Sequence, residues 1–317
     1  MSRPLYRDLS TAWRERFGSR VQRISLDAGL TCPNRDGRVG VGGCIYCNPL
    51  GSGTGLSRHL SITEQLERGK DLLRRRYKAR KFIAYFQSFS NTYAPLERLR
   101  RLYDEALSVR DVVGLTIGTR PDCVGEPVLD LLGEMGQRTY VLMEYGLQSM
   151  HDRTLDLINR GHHFEAFVDA VARTRRRGLE VCAHVILGLP GEDKSDMLET
   201  ARALGRMDIQ GVKIHLLYVI RNTPLHRLYQ QGAYRCLSRE AYVDAVCDFL
   251  SLLPPEVIIH RLTGDPHPQE LVAPLWALEK QANLQAIRDG LRERHTWQGK
   301  AFEGSRFERP VPAELSG

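Results

Sequence analysis

Seven short runs rich in β-branched and aromatic residues recur along the chain, separated by longer amphipathic stretches. They are VQRISLD (21–27), KFIAYFQ (81–87), VVGLTIG (112–118), TYVLMEYG (139–146), LEVCAHVILG (179–188), GVKIHLLYV (211–219) and EVIIHRL (256–262). Their near-continuous apolar character suits strands buried on both faces, as in parallel sheets. Helical patterns occupy 95–108, 126–135, 165–178 and 193–207, the first opening on Pro95 and the third stopping at Gly178. Strands and helices alternating at roughly thirty-residue spacing call for repeated βα units, in an open sheet or a barrel. No G-x-G-x-x-G follows the first strand, which weakens the dinucleotide-binding sheet. The expected fold is α/β: an incomplete (β/α) barrel over residues 1–290, with short terminal extensions and an irregular tail at 291–317, where periodicity fades.

Three of the seven cysteines fall in one glycine-rich stretch, LTCPNRDGRVGVGGCIYCN (30–48). The N-terminus MSRPLYRDLSTAWRERFG is too polar for a signal peptide, and no apolar run nears membrane length. The expectation is a cytoplasmic chain with reduced thiols, whose clustered cysteines serve metal or redox chemistry rather than disulfides. Cys32, Cys44 and Cys47 are separated by eleven and then two residues, directly after the first strand. In a barrel that loop lies at the C-terminal face, where such folds place their chemistry. Three thiolates on a four-iron cluster leave one iron open, the arrangement needed to bind and cleave S-adenosylmethionine (SAM). Zinc would require a fourth ligand, for which His59 is the nearest offer, and cysteines without a cofactor are the third reading. Glycines at 37, 40, 42 and 43 let the loop wrap a cluster, and Tyr46 would set a ring beside the cofactor.

Other signals are weaker. Net charge is +7, with arginine clusters at 72–81, 98–103 and 172–178. They read as solvated helix faces, or together as attraction for a polyanion. Arg120 precedes Pro121 on an extended segment aimed at the mouth, where its fork would grip a carboxylate or phosphate, unless Asp122 braces it internally. Cys123 reads as a buried filler, Ser149 as a helix cap, and His162 and His163 as surface or phosphate-contacting histidines. Arg261, Thr263 and Asp265 are placed at the substrate side of the mouth. There is no nucleophile elbow, Walker loop or H-E-x-x-H helix, which removes the usual hydrolase and NTPase readings.

A three-cysteine loop after strand one, ending in Cys-x-aromatic-Cys, resembles the radical SAM superfamily. The long first gap resembles a narrower group, the YhcC/YtqA-type proteins, related to the radical domain of the elongator acetyltransferase subunit. The resemblance extends through DAGLTCPNRDGRVGVGGCIYCN, AYFQSFSNTYAPLE, IGTRPDCV, EYGLQSMHDRTLDLINRGH, HVILGLPGE, KIHLLYV and LVAPLWALEK, and GSGTG (51–55) is closer to the YtqA branch. It implies a [4Fe-4S] cluster on Cys32, Cys44 and Cys47, SAM on the open iron, and a 5′-deoxyadenosyl radical. Gln87 and Ser88 would meet the methionine end, with Asn91, Thr92 and Tyr93 nearby. Glu144 and Gln148 would read the ribose, while Gly188 and Tyr218 would lie near adenine, with His215 facing lumen or helices. The implied substrate is transfer RNA, with conversion of a wobble-uridine carboxymethylaminomethyl group to aminomethyl and Arg120 holding the carboxylate. An electron donor such as flavodoxin or ferredoxin would be a partner. The rivals are a radical SAM enzyme acting on a small molecule and a zinc-bound RNA-binding module.

Overall fold

The computed structural model describes residues 3–48 and 59–304. All seven runs are strands of one parallel sheet: β1 (Val21–Leu26), β2 (Lys81–Phe86), β3 (Val112–Thr119), β4 (Tyr140–Gln148), β5 (Glu180–Leu187), β6 (Gly211–Leu216) and, after a short β7 (Val219–Ile220), β8 (Ile258–Arg261). Their spatial order follows the chain, β1-β2-β3-β4-β5-β6-β8, the signature of successive right-turning βα units that curl the sheet into a partial barrel. The sequence pattern gave no sign of β7 and β9 (Leu271–Ala273), which pair antiparallel as a separate ribbon. At two and three residues they are too short to carry a period.

Helices cover the outer face. They are α1 (Leu9–Phe17), α2 (Ile62–Tyr77), α3 (Leu96–Ser108), α4 (Glu126–Gly136), α5 (Asp152–Leu157), α6 (Phe164–Arg176), α7 (Lys194–Gly205), α8 (Pro224–Gln230), α9 (Arg239–Ser251) and α10 (Lys280–Glu293). Local signals set their ends. Ser61 and Glu64 form a reciprocal capping box on α2, as Asp193 and Asp196 do on α7. Gly178, at φ +72°, takes the left-handed turn that stops the chain after α6. The main core lies between strands and helices, with Phe82, Phe86, Leu115, Met143 and Phe167 fully buried.

The barrel's other face has its own packing. Trp13 of α1 meets Val21, Ile83, Tyr140, Leu142 and Cys182, an apolar floor at the N-terminal ends of the strands. No strand pairing joins β1 to β8; the N-terminal segment sits at that seam, with Ile259 N–H donating to the Arg7 carbonyl at 2.8 Å. Periodicity faded at 291, yet α10 continues to Glu293 and the following chain packs back. Buried Gln298 accepts from Arg7 N–H at 2.9 Å and donates to the Pro254 and Val257 carbonyls at 2.6 and 2.7 Å. The GSGTG stretch and residues 305–317 of the expected tail lie outside the described residues. Among the described residues, no helix is long and apolar enough to cross a membrane.

Candidate active site

The cysteine loop crosses the C-terminal mouth of the barrel. It is fastened by backbone and amide bonds rather than by packing alone. Ile45 N–H donates to Ile158 O at 3.0 Å, and Ile45 O accepts from Leu225 N–H at 2.9 Å, so this turn is clamped between α5 and α8. Buried Asn34 donates to Asn159 O at 2.6 Å, and Asn159 returns a bond to Gly43 O at 2.8 Å. Gly40 has a specific role, since a Cβ there would lie 2.3 Å from Asn34 Oδ1. Tyr46 and Ile45 pack against an apolar group containing Leu155, Ile158, Ile186 and Leu217.

The donor set fits a thiolate-bound cluster. Cys44 and Cys47 hydrogen-bond to each other, which drives Cys44 well below the usual thiol range against its burial, with Arg160 helping. The same bond, with burial, pushes Cys47 up. Cys44 Sγ also accepts from Arg160 Nη1 at 3.5 Å and Asn34 Nδ2 at 3.8 Å, the outer contacts that stabilise a ligating sulfur. Among the described residues, the metal-capable groups gathered within 4.8 Å are Glu144–Cys182–His260 and His151–Asp196–Glu199. The three cysteines are not such a group, so Cys32 does not stand as close to the other two sulfurs as one zinc ion with bonds of about 2.3 Å would hold all three. His59 is exposed ahead of α2 and belongs to neither group.

Orphaned acceptors surround this loop. Gln148 Oε1, Asn91 Oδ1 and Ser90 Oγ are buried without a hydrogen-bond partner. Ser90 N–H bonds to Thr31 O, beside Cys32, at 3.2 Å, and Asn91 Nδ2 bonds to Gly118 O at 2.8 Å. Gln148 is held at φ +78°, a strained conformation for its residue type. Buried polar atoms are normally satisfied, so orphans on one rim fit a ligand rich in N–H and O–H donors, as SAM is. Gln87 borders Gly118, where a Cβ would come 3.4 Å from the Gln87 Cα, and Ser88 is buried next to it.

Several expected contacts fall elsewhere. Arg120 is folded back as a brace: its Nε and Nη2 meet Asp122 at 2.9 and 2.8 Å, and Nη1 meets Arg160 O at 2.6 Å. That bidentate closure leaves no open fork for a substrate, so the brace replaces the expected ligand contact. Glu144 points into the lumen below Gln148 rather than at the mouth. It forms a buried ion pair with Lys213, accepts from Tyr85 Oη at 2.7 Å and lies 3.6 Å from Arg23. Burial opposes its charge, but Lys213 and Arg23 hold the carboxyl well below the usual range. Lys213 is pulled down to about 8 by burial against the attraction of Glu144. A carboxylate so committed is not presented to a ribose.

Gly188, at φ +85°, is covered by the chain's own Leu237, and its carbonyl accepts from Tyr234 Oη at 2.8 Å. Tyr218 stands half-buried against His215, with ring centroids 5.1 Å apart, and His215 therefore faces the lumen wall. Ser149 does not cap α5; its hydroxyl accepts from His151 N–H at 3.0 Å and donates to Glu192. His163 is exposed and pairs with Asp156 at 2.9 Å, whereas His162 is buried. Cys123 is half-buried rather than fully enclosed, and burial pushes its thiol up to about 12.

Sequence reasoning missed Arg160, Asn34 and the lumen charges. A lysine inside the apolar run GVKIHLLYV was the available signal for Lys213. Arg160 lay unremarked in NRGHH and is now central, buried between Cys44 and Gly146 O, 2.6 Å from the latter.

Comparison with known proteins agrees with this geometry. The Radical SAM superfamily model matches residues 33–204, and the Radical_SAM C-terminal domain model matches 209–293. YtqA of Bacillus subtilis is 44% identical over 299 residues, covering 94% of this chain and 93% of that one. YhcC of Escherichia coli is 38% identical over 288 residues, covering 90% and 92%. A tRNA uridine(34) acetyltransferase of Dehalococcoides mccartyi is 29% identical over 185 residues, covering 57% of this chain and only 38% of that one. Elp3 of Methanocaldococcus infernus, solved without its N-terminus, superposes with a TM-score of 0.68 at 18% identity. The match covers 88% of this chain and 64% of that one, a likeness of fold. With the family model spanning over half of the chain, including Cys44 and Cys47, and relatives matching along nearly the whole length, the chain belongs to the radical SAM superfamily.

Proposed function

We propose that the chain remodels a wobble-uridine side chain in transfer RNA, converting a carboxymethylaminomethyl group to aminomethyl. The observation that carries a radical reaction is the three-thiol loop clamped across the mouth and ringed by unsatisfied acceptors. Cys32, Cys44 and Cys47 would hold a [4Fe-4S] cluster, with Arg160 and Asn34 donating to Cys44. Gln148, Asn91 and Ser90 would accept from the bound SAM, with Gln87 and Ser88 beside them. When bound, the cluster and SAM supply one-electron cleavage to a 5′-deoxyadenosyl radical. The residues of the chain contribute enclosure: the floor under Trp13 keeps water out from below. A one-electron donor of the flavodoxin or ferredoxin kind completes the proposal.

The RNA part is supported by similarity to the tRNA uridine(34) acetyltransferase. The loop tip adds surface chemistry suited to nucleic acid. Exposed Arg38 lies over Tyr93 at 5.9 Å, and Val41 beside it is 78% exposed. Two experiments test the reading separately. Anaerobically reconstituted protein is expected to carry about four irons per chain and to form 5′-deoxyadenosine with dithionite; colourless protein with one zinc would overturn the radical chemistry. Mass spectrometry of transfer RNA nucleosides from a deletion strain is expected to show the carboxymethylaminomethyl form accumulating. Unchanged wobble nucleosides would sink the RNA substrate alone.

A further inference from the structure

Arg261, at the end of β8, is a lumen cation without a carboxylate. Among the described residues, Lys213 and Arg23 both lie against Glu144, and Asp265 is taken by Lys280 at 2.6 Å. Among the described residues, the Arg261 guanidinium meets a ring nitrogen, His184 Nε2, at 3.4 Å and no carboxylate, and its Nε is buried without a partner. Thr263, two residues on, just past the end of β8, has a buried hydroxyl that is also unpartnered.

The surroundings turn these orphans into a fitted recess. His184 stacks on His215 with centroids 5.7 Å apart, and His215 leans on Tyr218. Gly264 is closed in by the same rings: a Cβ would lie 3.0 Å from His215 Cε1 and 2.6 Å from Tyr218 Cε1. Burial, with Lys213 and Arg261 nearby, holds His184 well below the imidazole range, and burial with Arg261 does the same for His215. Neutral rings do not compensate a cation. His215 Nδ1 is engaged with Leu216 O and His184 Nε2 with Arg261, so the rings wall the recess rather than donate into it. Arg23 and Lys213 thus share one carboxylate, Glu144, and Arg261, in register with Lys213, adds a third cation beside them, an imbalance that an entering anion relieves.

We propose that Arg261 and Thr263, walled by His184 and His215, bind the carboxylate of a substrate group that enters the barrel. The proposal rests on the reading of the mouth as the reaction chamber, and gives Arg261 the role that Arg120 cannot take with its fork closed on Asp122. Two features favour a carboxylate over a phosphate. The recess is walled by apolar ring faces and offers a single guanidinium, which matches the single charge of a carboxylate better than the higher charge of a phosphate. Arg261 is also in register with Lys213, inside the barrel, where a small side group fits and a nucleic-acid backbone does not.

The test uses 15N-histidine-labelled, reconstituted holoenzyme titrated with sodium acetate, acetamide and inorganic phosphate while the His184 ring resonances are followed. Acetate is expected to give a saturable shift and acetamide none. R261Q is expected to raise the half-saturating acetate concentration about tenfold or more, with R261K and T263V between. Thermal melts report whether each variant folds, and the wild-type acetate curve stands whatever they show. The absence of a saturable acetate shift overturns the proposal, as does an unchanged curve in a folded R261Q variant or tighter binding of phosphate than acetate. SAM affinity weakened by R261Q as much as acetate affinity also overturns it, because the carboxylate served would then be that of SAM. No RNA enters this measurement, so its failure is distinct from failure of the transfer-RNA reading.

Discussion

Replacing Lys213 by methionine would leave Glu144 in the lumen without its nearest counter-charge. Breaking such a pair from one side costs about 3–5 kcal/mol, whereas removing both charges costs far less. K213M is therefore expected to be strongly destabilised in urea, and the K213M/E144Q double variant to recover most of the loss. The same pair sets a pH signature. The carboxyl of Glu144 is depressed in the fold from an ordinary 4.5, so its stabilisation is present above about pH 4.5 and drains away below it. Lys213, depressed from 10.5 to about 8, binds its proton less tightly folded than unfolded. Its contribution consequently makes stability rise between about pH 8 and 10.5. Denaturation midpoints across pH check both signs, and a profile unchanged in K213M/E144Q would refute them. At the loop, G40A drives a methyl into Asn34. Iron retained per chain is expected to fall while far-ultraviolet dichroism stays unchanged.

At the scale of elements, α1 is a stopper. Trp13 is almost fully buried in the floor, with Arg23 over its ring at 5.1 Å. W13A is expected to cost about 3–5 kcal/mol in denaturant and to admit water from below. The second effect is read as 5′-deoxyadenosine formed in excess of modified product. S61A, which removes the α2 capping box, is expected to cost only about 1 kcal/mol. The strands and the four helices between β2 and β6 that were expected were legible because two-sided burial and helical periodicity write themselves into such segments, whereas α2, α9 and α10 were not among the expected helices. The ribbon of β7 and β9 was not legible, because a pair that short carries no period. Neither was the partner of Glu144, since Lys213 lies in a run apolar on both faces and contacts it from 69 residues away. For Arg120 the sequence offered both a ligand contact and a brace to Asp122; only the bidentate geometry decides for the brace.

Across the whole molecule, charge is distributed differently from its linear clustering. Arg173 and Arg177 are tied to Glu126, Arg175 to Asp208 and Arg74 to Asp111. The end of α2 that carries Arg74, Arg75 and Arg76 lies by the starts of β2 and β3, away from the mouth. On the proposed transfer-RNA reading, neutralising Arg75 and Arg76 is therefore expected to leave RNA affinity unchanged, while R38Q at the loop tip weakens it and lowers its salt dependence by about one phosphate contact. Filter binding across salt concentrations checks both outcomes.

The floor under α1 also fixes an order of events. With its base closed by that floor, the barrel opens at its mouth, and there the opening carries the cysteine loop. Whatever enters later stands in front of whatever entered first. On the proposed transfer-RNA reading, SAM seated against the loop would arrive before the nucleoside that covers it, and the processed nucleoside would withdraw before spent cofactor is exchanged. Turnover on that reading is a queue, and initial-rate kinetics are expected to show compulsory order, with the modified RNA blocking the exchange of SAM.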